Sequence, residues 1–257
     1  MLQHIDINDI ITVAQRAGEG IMEIYAKDFN VEYKDDKSPL TEADQRANEI
    51  IIDGLNALSV QFPILSEEGK EIPYEERKDW EYFWIVDPLD GTKEFIKKND
   101  EFTVNIALIY KNTPILGVVY APALDEMYWA KRGEGAFKNG ERLPLKMNNT
   151  PDKILTVVAS KSHLSEETKV FIDHLKSTTQ HLIFVSKGSS LKLCMVADGS
   201  ADIYPRLAPT MEWDTAAAQV IVTEAEKAVI HNITGEILVY NKRNLTNPYF
   251  IVQGTRV

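Results

Sequence analysis

The chain has 257 residues and a formal net charge of −11 at pH 7. An acidic chain without a cluster of Lys and Arg is not typical of proteins that bind nucleic-acid polymers, and no uninterrupted apolar run of about 18 residues is present that could form a transmembrane segment. The single cysteine, Cys194, excludes an internal disulfide and fits a reducing compartment. These features predict a cytoplasmic protein that handles a small anion with a bound cation, and they leave open a peripheral position at the inner face of a membrane.

The first half of the chain, residues 1–150, is predicted to be an α+β unit. Apolar residues at helical spacing predict two helices, at residues 7–27 and 41–58. Polar turns are expected at residues 35–39 and, inside a β-hairpin, at residues 112–114. Strands are predicted at residues 31–34, 62–65, 82–86, 102–110, 115–120 and 126–130, followed by a turn-rich segment at 132–139.

A polar segment at residues 147–152 predicts the boundary to a second half, residues 151–257. Strands and helices alternate in this half, which is typical of α/β architecture. Strands are predicted at residues 154–159, 182–185, 202–204, 228–230 and 250–252, and helices at residues 166–175, 191–197 and 215–222.

The strongest chemical signal is the hexapeptide DPLDGT at residues 87–92. Two carboxylates, Asp87 and Asp90, follow an apolar strand, in a turn that Pro88 and Gly91 are expected to form. A junction of this kind gathers side chains and free backbone N–H groups at one point, and hard cations such as Mg²⁺ prefer oxygen ligands. The alternative, for this motif alone, is a solvated turn.

Three weaker acidic motifs accompany the hexapeptide. Glu67 and Glu68 end a short strand, Asp214 precedes an alanine-rich helix, and Asp44 follows Thr41 by three residues at a helix start. Taken singly, these motifs are explained as well by surface charge, by an N-cap and by an acidic first helical turn.

In this order and at these separations, the four motifs resemble the signature of the lithium-sensitive inositol monophosphatase superfamily. The match extends over residues 38–224. Within the superfamily, Lys93 and Glu94 after the hexapeptide, together with segments 101–108, 117–122 and 188–192, are most similar to the 3′(2′),5′-bisphosphate nucleotidases of the bacterial CysQ type. The resemblance implies an α/β (α+β) fold, a layered αβαβα sandwich, with the metal site in the cleft between the two halves.

The resemblance also implies a role for each matching residue. Asp44 and Thr92 would orient and deprotonate a water molecule, and two or three Mg²⁺ ions would activate it and neutralise the charge of the substrate. The implied metal ligands, mostly from residues 1–150, are Glu67, Asp87, Asp90, Asp214 and the carbonyl of Leu89. The implied substrate-binding residues, mostly from residues 151–257, are Gly91, Thr92, His163, Ser189, Ser190, Lys192 and Arg206.

The sequence departs from the family pattern at two places where the family usually has glycine. Ala218 stands in the helix after Asp214, and Glu226 and Lys227 stand shortly after that helix. Glycine permits close backbone approach. These replacements therefore predict altered packing around the helix that follows Asp214.

The function implied by the resemblance is hydrolysis of 3′-phosphoadenosine 5′-phosphate to AMP and phosphate, a step linked to sulfate assimilation in that family. An inositol monophosphatase, a fructose-1,6-bisphosphatase and a non-catalytic metal-binding or scaffold protein are the alternatives. The pair Asp44 and Thr92 argues against the non-catalytic alternative, because binding a cation does not require a group that deprotonates water. The partner expected is a small phosphorylated nucleotide, and the sequence leaves the oligomeric state open.

Overall fold

The computed structural model describes residues 4–29, 31–33, 39–145, 154–160, 165–179 and 181–254. Within them the helices are α1 (Ile7–Tyr25), α2 (Glu42–Asn56), α3 (Tyr74–Arg77), α4 (Thr92–Ile96), α5 (Glu166–Thr178), α6 (Leu191–Asp198) and α7 (Ala216–Glu224). The strands of the first half are β1 (Val31–Tyr33), β2 (Pro39–Thr41), β3 (Ile64–Ser66), β4 (Tyr82–Asp90), β5 (Thr103–Tyr110), β6 (Thr113–Ala121), β7 (Glu126–Lys131), β8 (Gly135–Lys138) and β9 (Glu141–Arg142). Those of the second half are β10 (Leu155–Ala159), β11 (Leu182–Ser186), β12 (Ile203–Arg206), β13 (Lys227–His231) and β14 (Phe250–Gly254).

Two larger sheets organise the described residues, beside the small β1–β2 pair. The first has seven strands in the order β3-β4-β5-β6-β7-β8-β9, antiparallel except where β3 runs parallel to β4. The second has five strands in the order β11-β10-β12-β14-β13, and β10, β11 and β12 are its parallel part.

The seven-stranded sheet is covered on both faces, because its central strands are apolar on both sides. In β4, Trp84 and Val86 face a core shared with α1 and α2, whereas Phe83 and Ile85 face a core shared with α6 and α7. This alternation is the period of two of an extended strand. The second core reaches the five-stranded sheet, and α5 packs on the far side of that sheet through Ile172. The layers are therefore α, β, α, β and α, which confirms the predicted sandwich.

Most predicted elements are present, with shifted ends. Pro39 lies in β2 rather than in a turn, and Pro114 lies in β6, so the hairpin turn falls at residues 111–112. Part of the segment 132–139, predicted as turns, forms β8, which pairs with β7. The predicted boundary at residues 147–152 lies outside the described residues. No helix in the described parts of the chain is long and apolar enough to cross a membrane.

Helix α7, which follows Asp214, packs directly on the seven-stranded sheet. A Cβ at Gly117 in β6 would lie 2.2 Å from the carbonyl oxygen of Ala217, so only glycine allows this approach. Ala218, at a usual glycine position, is buried in the same helix. The glycine that permits this close backbone approach therefore lies in the sheet rather than in the helix. Glu226 takes a φ of 61°, a left-handed conformation that favours glycine.

Candidate active site

The DPLDGT motif lies in a β-bulge at the end of β4. The pairing with β5 shifts between Asp87, which pairs with Asn105, and Asp90, which pairs with Thr103. A bulge bends the strand and re-aims its side chains, and Pro88, which has no N–H for the ladder, fits such an irregularity. The expectation of a turn at Pro88 is therefore wrong, because the strand continues through Asp90.

Gly91 is the point at which the chain leaves the strand and begins α4. Its φ is 94°, in the left-handed region that favours glycine. A Cβ at this position would lie 3.1 Å from the carbonyl oxygen of Glu101 and 3.3 Å from the Cβ of Ser189. Gly91 lines the cleft, and its lack of a side chain lets two parts of the chain meet there.

Three carboxylates converge beside the bulge. One oxygen from each of Glu67, Asp87 and Asp214 lies within 4.8 Å of the other two. Glu67 is brought there by β3, and its backbone N–H donates to the carbonyl oxygen of Val86, 3.1 Å away, in the strand that carries Asp87. The carboxylates lie 147 positions apart at the extremes, from 67 to 214, and the fold unites them.

The electrostatics of this cluster fit a divalent cation. Burial raises the pKa of Asp87 well above its usual range, and the charges of Glu67, Asp90 and Asp214 raise it further. Burial, followed by the charge of Asp90, raises the pKa of Asp214 in the same way. Such a group of anions is costly alone, and hard cations with oxygen ligands offset that cost.

Asp90 is held by a hydroxyl from the other half of the chain. The Ser190 Oγ lies 2.7 Å from Asp90 Oδ2 and 2.7 Å from the backbone carbonyl oxygen of Asp214. The Asn105 side chain donates to that Oγ at 2.9 Å. Ser190 is buried, with 1% of its surface exposed. Its hydroxyl therefore connects a residue of β4, a residue of β5 and the segment before α7.

Asp44 and Thr92 are in contact, although 48 positions separate them. The Thr92 hydroxyl donates to Asp44 Oδ1 at 3.1 Å. The other carboxylate oxygen accepts from the backbone N–H and the hydroxyl of Thr41, at 2.7 and 2.6 Å, as part of the capping box of α2. Burial raises the pKa of Asp44, partly offset by the Thr41 bonds. The Leu89 carbonyl oxygen lies 3.4 Å from the Thr92 hydroxyl.

Asp214 is fixed by a turn that is itself clamped. It ends a short 3₁₀ turn, Glu212–Asp214, and its Oδ2 accepts from the backbone N–H of Met211 at 2.8 Å. Glu212 has no exposed surface and accepts from the backbone N–H of Asn241 at 2.6 Å and from Lys242 Nζ at 2.6 Å. These bonds tie the turn to the segment between β13 and β14.

Lys192 provides a buried positive charge at the cleft. Only 6% of its surface is exposed, and its Nζ donates to the carbonyl oxygen of Ser189 at 2.5 Å. Burial lowers the pKa of Lys192 to about 8, although the nearby Asp90 charge acts in the opposite direction. Among the described residues Ser189 is the hydrogen-bond acceptor of this ammonium group, which has three N–H groups and can therefore also donate to a ligand.

Arg206, at the end of β12, supplies the second positive charge. One of its Nη atoms donates to the carbonyl oxygen of Pro209 at 2.9 Å. Its Nε is buried and has no hydrogen-bond partner among the described residues. An unpaired guanidinium N–H is well suited to a phosphate oxygen.

One cavity of about 260 Å³ unites these groups. Its lining includes the predicted residues Glu67, Asp87, Leu89, Asp90, Gly91, Thr92, Ser189, Ser190, Lys192, Arg206 and Asp214. Asp44 does not line the cavity. It is connected to the site by the hydrogen bond that it accepts from Thr92. His163, predicted to bind substrate, lies outside the described residues.

Sequence reasoning missed several residues of this site. Asn105 was not predicted, although an amide inside the apolar strand β5 is a signal, because a buried polar group requires a partner. Asn105 contacts the site through Ser190, whereas Glu94, Tyr204 and Thr210 line the cavity itself. Glu94 closely follows the hexapeptide in the sequence, but no sequence feature indicates that its side chain is buried.

A model of the inositol monophosphatase family matches residues 2–253. The chain belongs to this family. Membership implies use of a divalent metal, which agrees with the carboxylate cluster.

Individual relatives agree. The chain is 43% identical to the 3′(2′),5′-bisphosphate nucleotidase CysQ of Salmonella typhimurium over 96% of its own length and 98% of that protein. It is 45% identical to the crystal structure of CysQ from Bacteroides thetaiotaomicron, with a TM-score of 0.88, covering 97% of this chain and 98% of that one. An inositol monophosphatase from Thermotoga maritima is 28% identical, with a TM-score of 0.77 over 96% of this chain and 91% of that one. These findings confirm the predicted family and fold.

Proposed function

We propose that this chain is a Mg²⁺-dependent phosphatase that converts 3′-phosphoadenosine 5′-phosphate to AMP and phosphate. The observation that carries the proposal is a single cavity that combines three converging carboxylates, two cationic side chains and the Thr92 hydroxyl, which donates to Asp44 behind it. The high identity to relatives named as bisphosphate nucleotidases, over nearly their whole length, supports the choice of substrate.

The residues that would hold the metal are Glu67, Asp87, Asp90 and Asp214, with the Leu89 carbonyl. The chemistry of this donor set fits Mg²⁺, which accepts oxygen ligands from proteins and substrate phosphates. The charges of four carboxylates and the substrate are most fully offset by two or three ions. Bound Mg²⁺ would supply Lewis acidity, which lowers the pKa of water and stabilises the charge that develops on phosphate oxygens.

Thr92 and Asp44 move the proton. The Thr92 hydroxyl donates to Asp44 Oδ1, so its oxygen lone pairs point away from Asp44 and can accept a proton from the attacking water. As that proton arrives at Thr92 Oγ1, the original hydroxyl proton passes to Asp44 Oδ1. Burial raises the pKa of Asp44, which makes it a better proton acceptor than an exposed aspartate.

Lys192 and Arg206 bind the phosphate that is not cleaved. Both line the same cavity as the carboxylate cluster, and both present buried positive N–H groups. Energy from this remote contact positions the scissile phosphate, as is general for non-reacting parts of a substrate. An inositol monophosphate has no second phosphate that could bind to these two cationic side chains.

The test is phosphate release from 3′-phosphoadenosine 5′-phosphate, 3′-AMP, inositol 1-phosphate and fructose 1,6-bisphosphate, each with Mg²⁺. We expect the bisphosphonucleotide to give the highest kcat/KM. Asp44→Asn is the matched control, since it keeps the shape of the side chain and should remove turnover of every substrate. A higher kcat/KM for inositol 1-phosphate would replace the proposal by an inositol monophosphatase.

A further inference from the structure

Glu94 is a buried carboxylate of the cleft that the proposed reaction does not use. It lies in α4, two residues after Thr92, and 8% of its surface is exposed. It lines the cavity that contains the carboxylate cluster, and it also lines a neighbouring cavity of about 280 Å³. Ser160 and Gly188 line both cavities as well. Glu94 therefore stands where the two spaces meet.

The position of Glu94 is fixed by packing. A Cβ placed on Gly188 would lie 2.8 Å from Glu94 Cγ and 2.6 Å from the carbonyl oxygen of Glu101. The absence of a side chain at Gly188 is what lets the stem of Glu94 lie there. The Gly188 N–H donates to the Glu101 carboxylate at 2.7 Å, which holds the loop in place.

The charges around Glu94 determine which kind of ligand group its carboxylate can bind. Burial raises the pKa of Glu94, the nearby charge of Lys192 lowers it in part, and Asp90 raises it while Lys97 lowers it. A buried carboxylate here would repel a phosphate group and attract a neutral hydrogen-bond donor. A carboxylate has about four lone-pair sites, so interaction with Lys192 leaves acceptor capacity for such a donor.

We propose that Glu94 is a specificity-determining residue that accepts a hydrogen bond from the sugar hydroxyl next to the scissile phosphate. This inference rests on the proposed function, because it assumes a phosphorylated nucleoside in the cleft. In such a substrate the hydroxyl-bearing carbon adjoins the carbon that carries the scissile phosphate. The adjacent hydroxyl, rather than the base, therefore lies nearest the carboxylate cluster, which shares its cavity with Glu94. The chain thereby selects ribonucleotides over 2′-deoxynucleotides.

The experiment compares kcat/KM for 3′-phosphoadenosine 5′-phosphate with that for its 2′-deoxy analogue. We expect wild type to prefer the ribonucleotide roughly ten- to a hundredfold, the usual size of a hydrogen bond to a charged acceptor. Glu94→Met, which fills a similar volume without an acceptor, should bring this ratio to about one. Glu94→Gln, which keeps one acceptor oxygen, should retain most of it.

The outcomes separate the inference from the proposed function. If Glu94 serves only as a counterion of Lys192, Glu94→Met will lower both kcat/KM values equally, and the unchanged ratio overturns the inference alone. Failure of wild type to hydrolyse the ribonucleotide overturns the proposed function and this inference with it. Should Glu94→Met not fold, as judged by circular dichroism, Glu94→Asp makes the same comparison, because it withdraws the carboxylate by one methylene and should lower the ratio.

Discussion

The Ser190 hydroxyl lies 2.7 Å from the Asp90 carboxylate, although the two residues are 100 positions apart. The same oxygen lies 2.7 Å from the carbonyl of Asp214 and accepts a bond from Asn105. With these three polar neighbours, the buried hydroxyl already has its hydrogen-bond partners within the protein. Ser190, predicted to bind substrate, is better placed to hold two of the proposed metal ligands in position.

Ser190→Ala is expected to weaken Mg²⁺ binding and to lower the free energy of unfolding by about 1–3 kcal/mol, because the buried Asn105 amide loses its acceptor at 2.9 Å and keeps the more distant Asp90 Oδ2, 3.5 Å away. Titration calorimetry with Mg²⁺ and denaturant unfolding measure the two effects. Ser200→Ala, which changes an exposed serine, is the control. Loss of substrate affinity with unchanged Mg²⁺ affinity would support the original substrate-binding prediction instead.

Asp90→Asn is expected to abolish turnover and to leave the fold intact. Asp90 faces the cavity, and an amide in its place removes one negative charge from the proposed metal site while keeping the side-chain shape. Phosphate release at saturating Mg²⁺ and the circular dichroism spectrum check both statements. Activity like that of wild type would refute the ligand assignment.

Thr92→Ala is expected to lower kcat by roughly a hundredfold or more, in the range of a lost general acid–base function, with Mg²⁺ affinity nearly unchanged. In the proposed mechanism the hydroxyl relays a proton to Asp44, 3.1 Å away. Thr92→Ser keeps the hydroxyl and should retain most activity. A variant that loses only Mg²⁺ affinity would contradict the proton-relay role.

The preference for a bisphosphate over 3′-AMP is expected to fall as the pH rises through about 8, where the Lys192 ammonium loses its proton. Below this pH the residue is charged and would bind the second phosphate as proposed; above it that contribution would be lost. The ratio of the two kcat/KM values, measured from pH 7 to 9.5, cancels effects of the metal site common to both substrates. Lys192→Arg stays charged over this range and should give a flat ratio. A wild-type ratio independent of pH would show that Lys192 does not bind that phosphate.

Lys192→Ala should narrow the same preference by about ten- to a hundredfold, since a charge-assisted contact contributes roughly 1.5–3 kcal/mol. Turnover of 3′-AMP should remain close to that of wild type. The measurement is kcat/KM for both substrates at pH 7. An equal loss on both would assign Lys192 to the structure of the metal site.

Local motifs could be predicted from the residues themselves, whereas the convergence of distant acidic residues follows only from the family resemblance and the finer long-range geometry from neither. The capping box formed by Thr41 and Asp44 depends on four consecutive residues, and the structure contains it. The bulge at Asp87 depends on how β4 pairs with β5, which no local pattern specifies. Glu226 is a similar case, because its left-handed φ is set by the turn between α7 and β13. The positions of Ser190 and Glu94 depend on loops from different parts of the chain meeting in one cleft.

In the proposed mechanism, the capping box that begins α2 couples catalysis to the stability of one helix end. Asp44 is at once part of that cap and the partner of Thr92. Helix ends open more readily than the core, by local fluctuations that leave the remaining structure folded. Opening of this first turn would withdraw the proton acceptor from the cleft. Heat inactivation of this enzyme would then begin below the temperature of global unfolding, and the difference would report the local stability of a single helical turn.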